Sequence, residues 1–514
     1  MKNRLATRRL FLAAVLATTS LAAAGSAFAQ QKVLTVGSAF VPVSLDPALS
    51  GNGRAGMAIG PAYEPLVRVA ADGSFRPALA TKWEMSPDSK SVTFTLREGA
   101  KFSDGEPVTA EAAKKSIDYF RFKPGGGFST NLKTVTSIDV LGPYQFRITM
   151  SSPQPALVNL FEAYWNGGML ISPKGVDNPD GLAKETFGAG PYKIDPAATI
   201  LGKSYTYVPN PYYYDKSRVK WDKVVISVFQ DQNAGIQAMK AGQLMLLSSD
   251  PLTANSNAAS LPPTLRIVSE PVGWTGLILS DRNGEGPQPY LKDVRVRQAI
   301  NYALDRKLMS QALFGKFAEP TAQLQARGFV GYDAKLEERY PYDPAKAKEL
   351  LAAAGYPNGF ELTVAYVNNS MSQFLQQAVG AQLRKVGITV KGMEAQHFGV
   401  MRSMADNKAF SATVLNSNSG IPNLAKFQVL DSKGGFNYYS STDDTLTRLM
   451  EEASNLPVDK AADAWKKVYG HAVELAWLAP VAAIHVAYFA SNTIKTPPIG
   501  QSVVIDLTDV EPAN

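Results

Sequence analysis

The residues able to do chemistry are few, and their spacing points away from catalysis. The chain has no Cys and three His: His397, His471 and His485. Without Cys there is no thiol catalysis, disulfide, iron–sulfur cluster or Cys-zinc site. The histidines are not four apart, so a His-Glu-x-x-His zinc helix is absent. Ordinary packed or surface positions are expected for two of them, with a lone His ligand for a chelated metal as the alternative. Gly202-Lys203-Ser204 resembles the end of a phosphate loop, but Ala197 stands where the first Gly is required. Ser217-Arg218-Val219-Lys220 fits Ser-x-x-Lys, yet neither Ser-Asp-Asn nor Lys-Thr-Gly accompanies it. The acidic pairs Glu337-Glu338, Asp443-Asp444 and Glu451-Glu452 read as solvated faces rather than a glycosidase pair. No catalytic residue, metal or cofactor is expected.

What remains is recognition. Aromatic residues and amides concentrate in loop-like stretches such as Tyr212-Tyr213-Tyr214, Phe436-Asn437-Tyr438-Tyr439 and Asn416-Ser417-Asn418. Rigid rings with a few amides suit a cleft for a small organic ligand. The expected contacts are Phe40, Tyr63, Trp274, Asn416, Asn418 and Asn437. For Trp274, packing in the core is an equal alternative.

These side chains need elements to hold them. At 514 residues the chain exceeds what one core supports, so at least two domains are expected. Val33–Gly37, Val92–Leu96 and Tyr144–Met150 read as strands, the last two half-buried by their alternation. Val224–Phe229 reads as a strand covered on both faces. Ala110–Phe120 reads as a helix. Asp343 is a natural N-cap, Pro344 suits the first helical position, and Gly355 ends that helix. Leu362–Tyr366 and Ile388–Val390 flank a helical stretch, which favours parallel strands with a crossover.

The first 29 residues read as an export signal. Lys2, Arg4, Arg8 and Arg9 precede an apolar stretch from Leu10 to Ala24, and Ala27-Phe28-Ala29 is a cleavage site before Gln30. Thr7-Arg8-Arg9-Leu10-Phe11-Leu12 also resembles a twin-arginine signal, a second export route. Its removal takes four cations and no acid, lowering the net charge from +7 to +3. A nearly neutral chain gives no reason to expect nucleic acid as a partner. The periplasm is the expected location.

Several blocks, in order, resemble the family-5 extracytoplasmic solute-binding proteins of peptide and nickel ABC importers. They are Ser44-Leu45-Asp46-Pro47, Tyr63-Glu64-Pro65-Leu66-Val67, Phe102-Ser103-Asp104-Gly105-Glu106-Pro107-Val108-Thr109-Ala110, Gly188-Ala189-Gly190-Pro191-Tyr192, Asn210-Pro211-Tyr212-Tyr213 and Asp293-Val294-Arg295-Val296-Arg297-Gln298-Ala299-Ile300. The resemblance implies an α/β, two-lobed periplasmic-binding-protein fold of type II. Lobe I is expected over 32–270 plus 480–514, with an extra subdomain at about 61–184, and lobe II over 275–478. The chain is expected to cross near Pro271–Gly273 and again near Leu478–Pro480. The implied partners are a small solute, taken up by lobe closure, and an inner-membrane ABC permease; a monomer is expected. Peptide binders of this group resemble a Trp-x-x-Asp pattern whose Asp meets the peptide's amine. Here the pattern is Leu415-Asn416-Ser417-Asn418. A neutral amide cannot make that charge-assisted bond. Neutral, acidic or blocked solutes, such as a sugar derivative or an opine-like compound, are therefore expected over free-amine peptides. The alternatives are a hydrolytic enzyme on the same scaffold, or a peptide-binding chaperone or receptor.

Overall fold

The computed structural model describes residues 31–513 apart from 43, 51–55, 125–128, 420–423, 458–459 and 501–503. The export signal at 1–29 lies outside the described residues. The main sheet has eleven strands: β1 (Val33–Ser38), β2 (Tyr192–Ile194), β3 (Ser204–Pro209), β4 (Lys223–Val228), β5 (Leu246–Ser249), β6 (Leu265–Ile278), β7 (Ala318–Pro320), β8 (Phe360–Val367), β9 (Ile388–Ala395), β10 (Ala412–Asn418) and β11 (Leu478–Ser491). Their order is β9-β8-β10-β6-β11-β5-β1-β4-β3-β2, with β7 against the side of β11.

Two 14-residue strands, β6 and β11, pair antiparallel from Leu265↔Ser491 to Ile278↔Leu478. This ribbon joins two hydrophobic cores. One holds Leu34, Val36, Val224, Leu246, Val272, Val486 and Tyr488. The other holds Leu277, Val296, Leu362, Val414, Ala479, Val481 and Ile484. On β6, Val272 belongs to the first core and Leu277 to the second; on β11, Ile484 belongs to the second and Val486 to the first, while Leu478 and Pro480 lie opposite Ile278 and Gly276. The ladder slips between Pro271 and Gly273, because proline has no N–H to offer it. Gly273 is held to glycine by close approach, since a Cβ there would lie 1.9 Å from the Ser417 carbonyl oxygen.

The expected local elements form. Val92, Phe94 and Leu96 point inward from Ser91–Leu96, in a separate four-stranded antiparallel sheet with Ala80–Met85, Gln145–Met150 and Val135–Gly142. The helix Ala110–Phe122 starts at Thr109, whose side chain accepts from the Ala112 amide at 3.2 Å. This insert shares its core with the β1 half, so it is fused to it rather than tethered. The strand at Lys223–Val228 differs from expectation: Val224 and Ile226 are buried while Val225 is only half-buried. β8 and β9 pair in parallel around the helix Ser370–Arg384.

Candidate functional site

The topology selects one place in the molecule. β10 runs antiparallel to β6 and ends where Asn418 pairs with Gly273. β8 and β9 run parallel to β10. β5 runs antiparallel to β11 and ends where Ser249 pairs with Ala487. β1 and β4 run parallel to β5. The carboxyl ends of three strands from each half therefore point toward the crossing at Pro271–Gly273 and Ile484–His485. In open α/β sheets, crevices outside strand carboxyl ends are where ligands bind.

Four helices begin at those ends. Asp231 caps Gln232–Lys240 by accepting from the Asn233 amide at 2.8 Å, and Asp250 caps Pro251–Ala258 by accepting from the Thr253 amide at 2.9 Å. In the other half the caps are not carboxylates. Asn369 accepts from the Ser372 amide at 2.9 Å, and His397 Nδ1 accepts from the Gly399 amide at 3.2 Å. The two aspartates on the β1 side are thus engaged in capping, and the β8–β10 side offers amides and an imidazole.

Three expected contacts sit at strand ends. Phe40 follows β1, where the Ser38 hydroxyl takes its amide at 3.1 Å, and its ring is 39% exposed. Asn416 is exposed and its Oδ1 accepts from the Thr275 hydroxyl. Asn418 is half-buried at the crossing itself.

The other three are placed differently. Tyr63 is buried in the first core, and its hydroxyl donates to the Leu45 carbonyl at 3.5 Å and accepts from the Phe187 amide at 3.4 Å. Trp274 is 1% exposed and packs with Leu324, Leu415, Val429, Trp465 and Tyr469. Of the two readings of this ring, core packing is the one the structure adopts. Asn437 is buried and spends its amide on its own loop. It donates to the Asp431 and Ser441 carbonyls at 2.9 Å and accepts from Arg282 at 2.6 Å. Its loop neighbours and the distant Arg282 use its polar groups.

Exposed rings that the sequence reading did not single out occupy the strand ends instead. Phe398, the first residue after the His397 cap, is 49% exposed and meets Phe436 at 5.2 Å between centroids. Phe427 is 54% exposed, next to Gln428, which accepts from the Ser417 hydroxyl of β10. Their position after β9 and β10 was the signal available in the sequence. Among the described residues, no group of three or more His, Cys, Asp or Glu is arranged to hold a metal.

A recess is built by the β1 half alone, among Tyr63, Arg68, Glu162, Tyr164, Asp506 and Asp509. Burial pushes the Glu162 carboxyl up to about 8. That carboxylate caps a short turn by accepting from the Tyr164 amide at 2.8 Å.

Residues 74–437 match the family described as bacterial extracellular solute-binding proteins, family 5 Middle. The chain is 29% identical over 406 residues to the probable D,D-dipeptide-binding periplasmic protein DdpA of Escherichia coli, covering 76% of this chain and 75% of the relative. It is 27% identical over 389 residues to the glutathione-binding protein GsiB of Salmonella typhimurium, covering 74% and 72%. AgaA from A. tumefaciens, solved in complex with agropinic acid, matches with a TM-score of 0.78 at 24% identity, covering 94% of this chain and 99% of that one. This last likeness is one of fold.

Proposed function

This chain belongs to the family-5 bacterial extracellular solute-binding proteins, and on that premise we propose that it captures a small acidic solute between its two halves and delivers it to an inner-membrane ABC permease. Lobe I would comprise residues 32–271 and 486–513, and lobe II residues 273–484. The observation that carries the reading is the convergence of six strand carboxyl ends on the β6–β11 crossing, with Asn418 at its edge. Phe40, Asn416 and Asn418 are the proposed solute contacts from the original set, joined by Phe398 and Phe427.

The solute class follows from charge. Burying an ammonium without a charged partner costs several kcal/mol, more than one neutral hydrogen bond returns. Asn418 offers one acceptor and two donated protons instead. A carboxylate, hydroxyl or blocked amide is therefore the better partner, as in an opine-like acid or a peptide with a modified terminus. Glutathione and D,D-dipeptides, for which two similar proteins are named, both carry an ammonium, so this reading sets the solute of the present chain apart from theirs.

Calorimetry against glutathione, D-alanyl-D-alanine, L-alanyl-L-alanine, gluconate and agropinic acid tests the class. Tight binding of an acid with weak binding of L-alanyl-L-alanine is expected; the reverse order would refute it. Small-angle scattering near neutral pH with the tightest binder should show compaction. An unchanged radius at saturation would refute lobe closure. Export is tested by sequencing the N-terminus of the periplasmic protein, expected at or near Gln30. Arg8-Arg9 changed to Lys-Lys should block export only by the twin-arginine route.

A further inference from the structure

His485 lies at the point where the two cores divide. It faces Pro271 across the ribbon, between Ile484 of one core and Val486 of the other. On either side along the same face, Ala483 packs with Ala326 and Phe329, and Ala487 packs with Ala254 and Phe317. The residue is half-buried, with segments from both halves packed against its neighbours on that face. Both its nitrogens are buried and have no hydrogen-bond partner among the described residues.

That is a costly way to keep a histidine. A neutral imidazole has one donor and one acceptor to satisfy, and no described residue pairs with either. An imidazolium in the same place would leave two donors and a charge unsatisfied. Two carboxylates act on the ring, Glu319 on β7 and Glu270 on β6, and both favour its charged form. Neither is free to pair fully with it. Glu319 faces Arg327 at 3.6 Å, and Glu270 accepts from the Ile499 and Gly500 amides at 3.2 and 2.5 Å. Burial outweighs them and holds the ring's pKa below its ordinary value.

We propose that His485 is a proton-sensitive latch on the crossing ribbon: the arrangement described here keeps the ring neutral, and protonation favours one in which the ribbon flexes and the ring meets water. This rests on the lobe-closure reading above. The sign follows from linkage. The enclosed ring binds protons less readily than a hydrated one, so acid shifts the balance toward the opened form. Relative to neutral pH and above, the shift approaches about 30-fold near pH 5 if the enclosed ring stays unprotonated.

The test is small-angle scattering of the mature protein without solute, from about pH 7.5 to about pH 5, for wild type and His485→Gln. The wild-type radius of gyration should rise as pH falls through the histidine range, and the variant's should not. Equal curves, or a flat wild-type curve, would overturn the latch. If the glutamine variant does not fold, the ring carbon signals of the wild type decide. With only three histidines, His397→Gln and His471→Gln assign the His485 signal by elimination. Its titration should lie below the ordinary range and track the change in radius; an ordinary titration with a constant radius overturns the proposal. Solute-induced compaction near neutral pH reports on lobe closure separately, so the two failures are told apart.

Discussion

Arg68 donates to both carboxylate oxygens of Glu64, through Nε at 3.1 Å and Nη2 at 2.7 Å, and Glu64 is fully buried. The same carboxylate accepts from the Tyr213 and Tyr214 hydroxyls at 3.1 Å. Arg68 also pairs with Asp506, and Arg218 with Asp509. Two signature blocks, Tyr63-Glu64-Pro65-Leu66 and Asn210-Pro211-Tyr212-Tyr213, are thereby tied to the C-terminal segment. Buried Arg297 does similar work, donating to the Leu291, Lys292 and Leu475 carbonyls at 2.7–3.0 Å. The blocks that identify the family build the scaffold; the solute contacts proposed above lie outside them.

Glu64→Gln should therefore cost stability. Removing one member of a buried ion pair strands the other, at about 3–5 kcal/mol. Urea unfolding should show the loss, and limited proteolysis should cut the C-terminal segment first. A midpoint equal to wild type would show that Asp506 and Asp509 suffice for Arg68.

Glu162 predicts a pH slope. Its carboxyl holds a proton in the folded chain up to about 8, against 4.5 as the ordinary value. The folded state then binds more protons than the unfolded one across that window, so the stability this group contributes at low pH is lost as pH rises from 4.5 to 8. The slope is about 1.4 kcal/mol per pH unit at most. Glu162→Gln keeps an acceptor for the Tyr164 amide and should flatten this part of the profile. Denaturant midpoints measured across the window check it; identical slopes in both proteins would contradict it.

Trp274→Ala should act on folding rather than on solute contact. The ring is buried in the cluster that holds Leu415, Val429 and Trp465, and removing a buried tryptophan costs about 3–5 kcal/mol. Thermal unfolding measures this. Unchanged stability with a large loss of affinity would place the ring in the cleft after all.

Asn418→Asp should invert the solute preference. A carboxylate at the crossing can pair with an ammonium, gaining about 1.5–3 kcal/mol for amine-bearing peptides, and it repels acids. Calorimetry with L-alanyl-L-alanine and the tightest acid reads both changes. Phe427→Ala should weaken the acid by about 1–2 kcal/mol if its exposed ring covers bound solute, while leaving the unfolding midpoint near wild type. No change in affinity for either variant would remove lobe II's strand ends from the site.

The sequence by itself determined the class of protein and most of its local structure. Signature blocks spread along the chain, missing catalytic sets, and alternations such as Val92, Phe94, Leu96 are local properties that need no knowledge of distant partners. So are the Asp343 cap, which accepts from the Lys346 amide at 2.8 Å, and the Gly355 stop at a φ of 94°. The tertiary structure alone decided three things. It divided β11 between the two cores, with Ile484 in one and Val486 in the other, because Leu478–Ala490 is apolar but for His485 and such a run does not say which core each side chain meets. It turned Tyr63, Trp274 and Asn437 inward, because a ring or an amide in a loop-like stretch faces core or cleft according to partners far along the chain: Phe187 for Tyr63, Trp465 for Trp274, Arg282 for Asn437. And it aimed the ends of the strands that precede Phe40 and Phe398, and the end that carries Asn418, at one region of the sheet, since only pairing across the sheet fixes which ends converge.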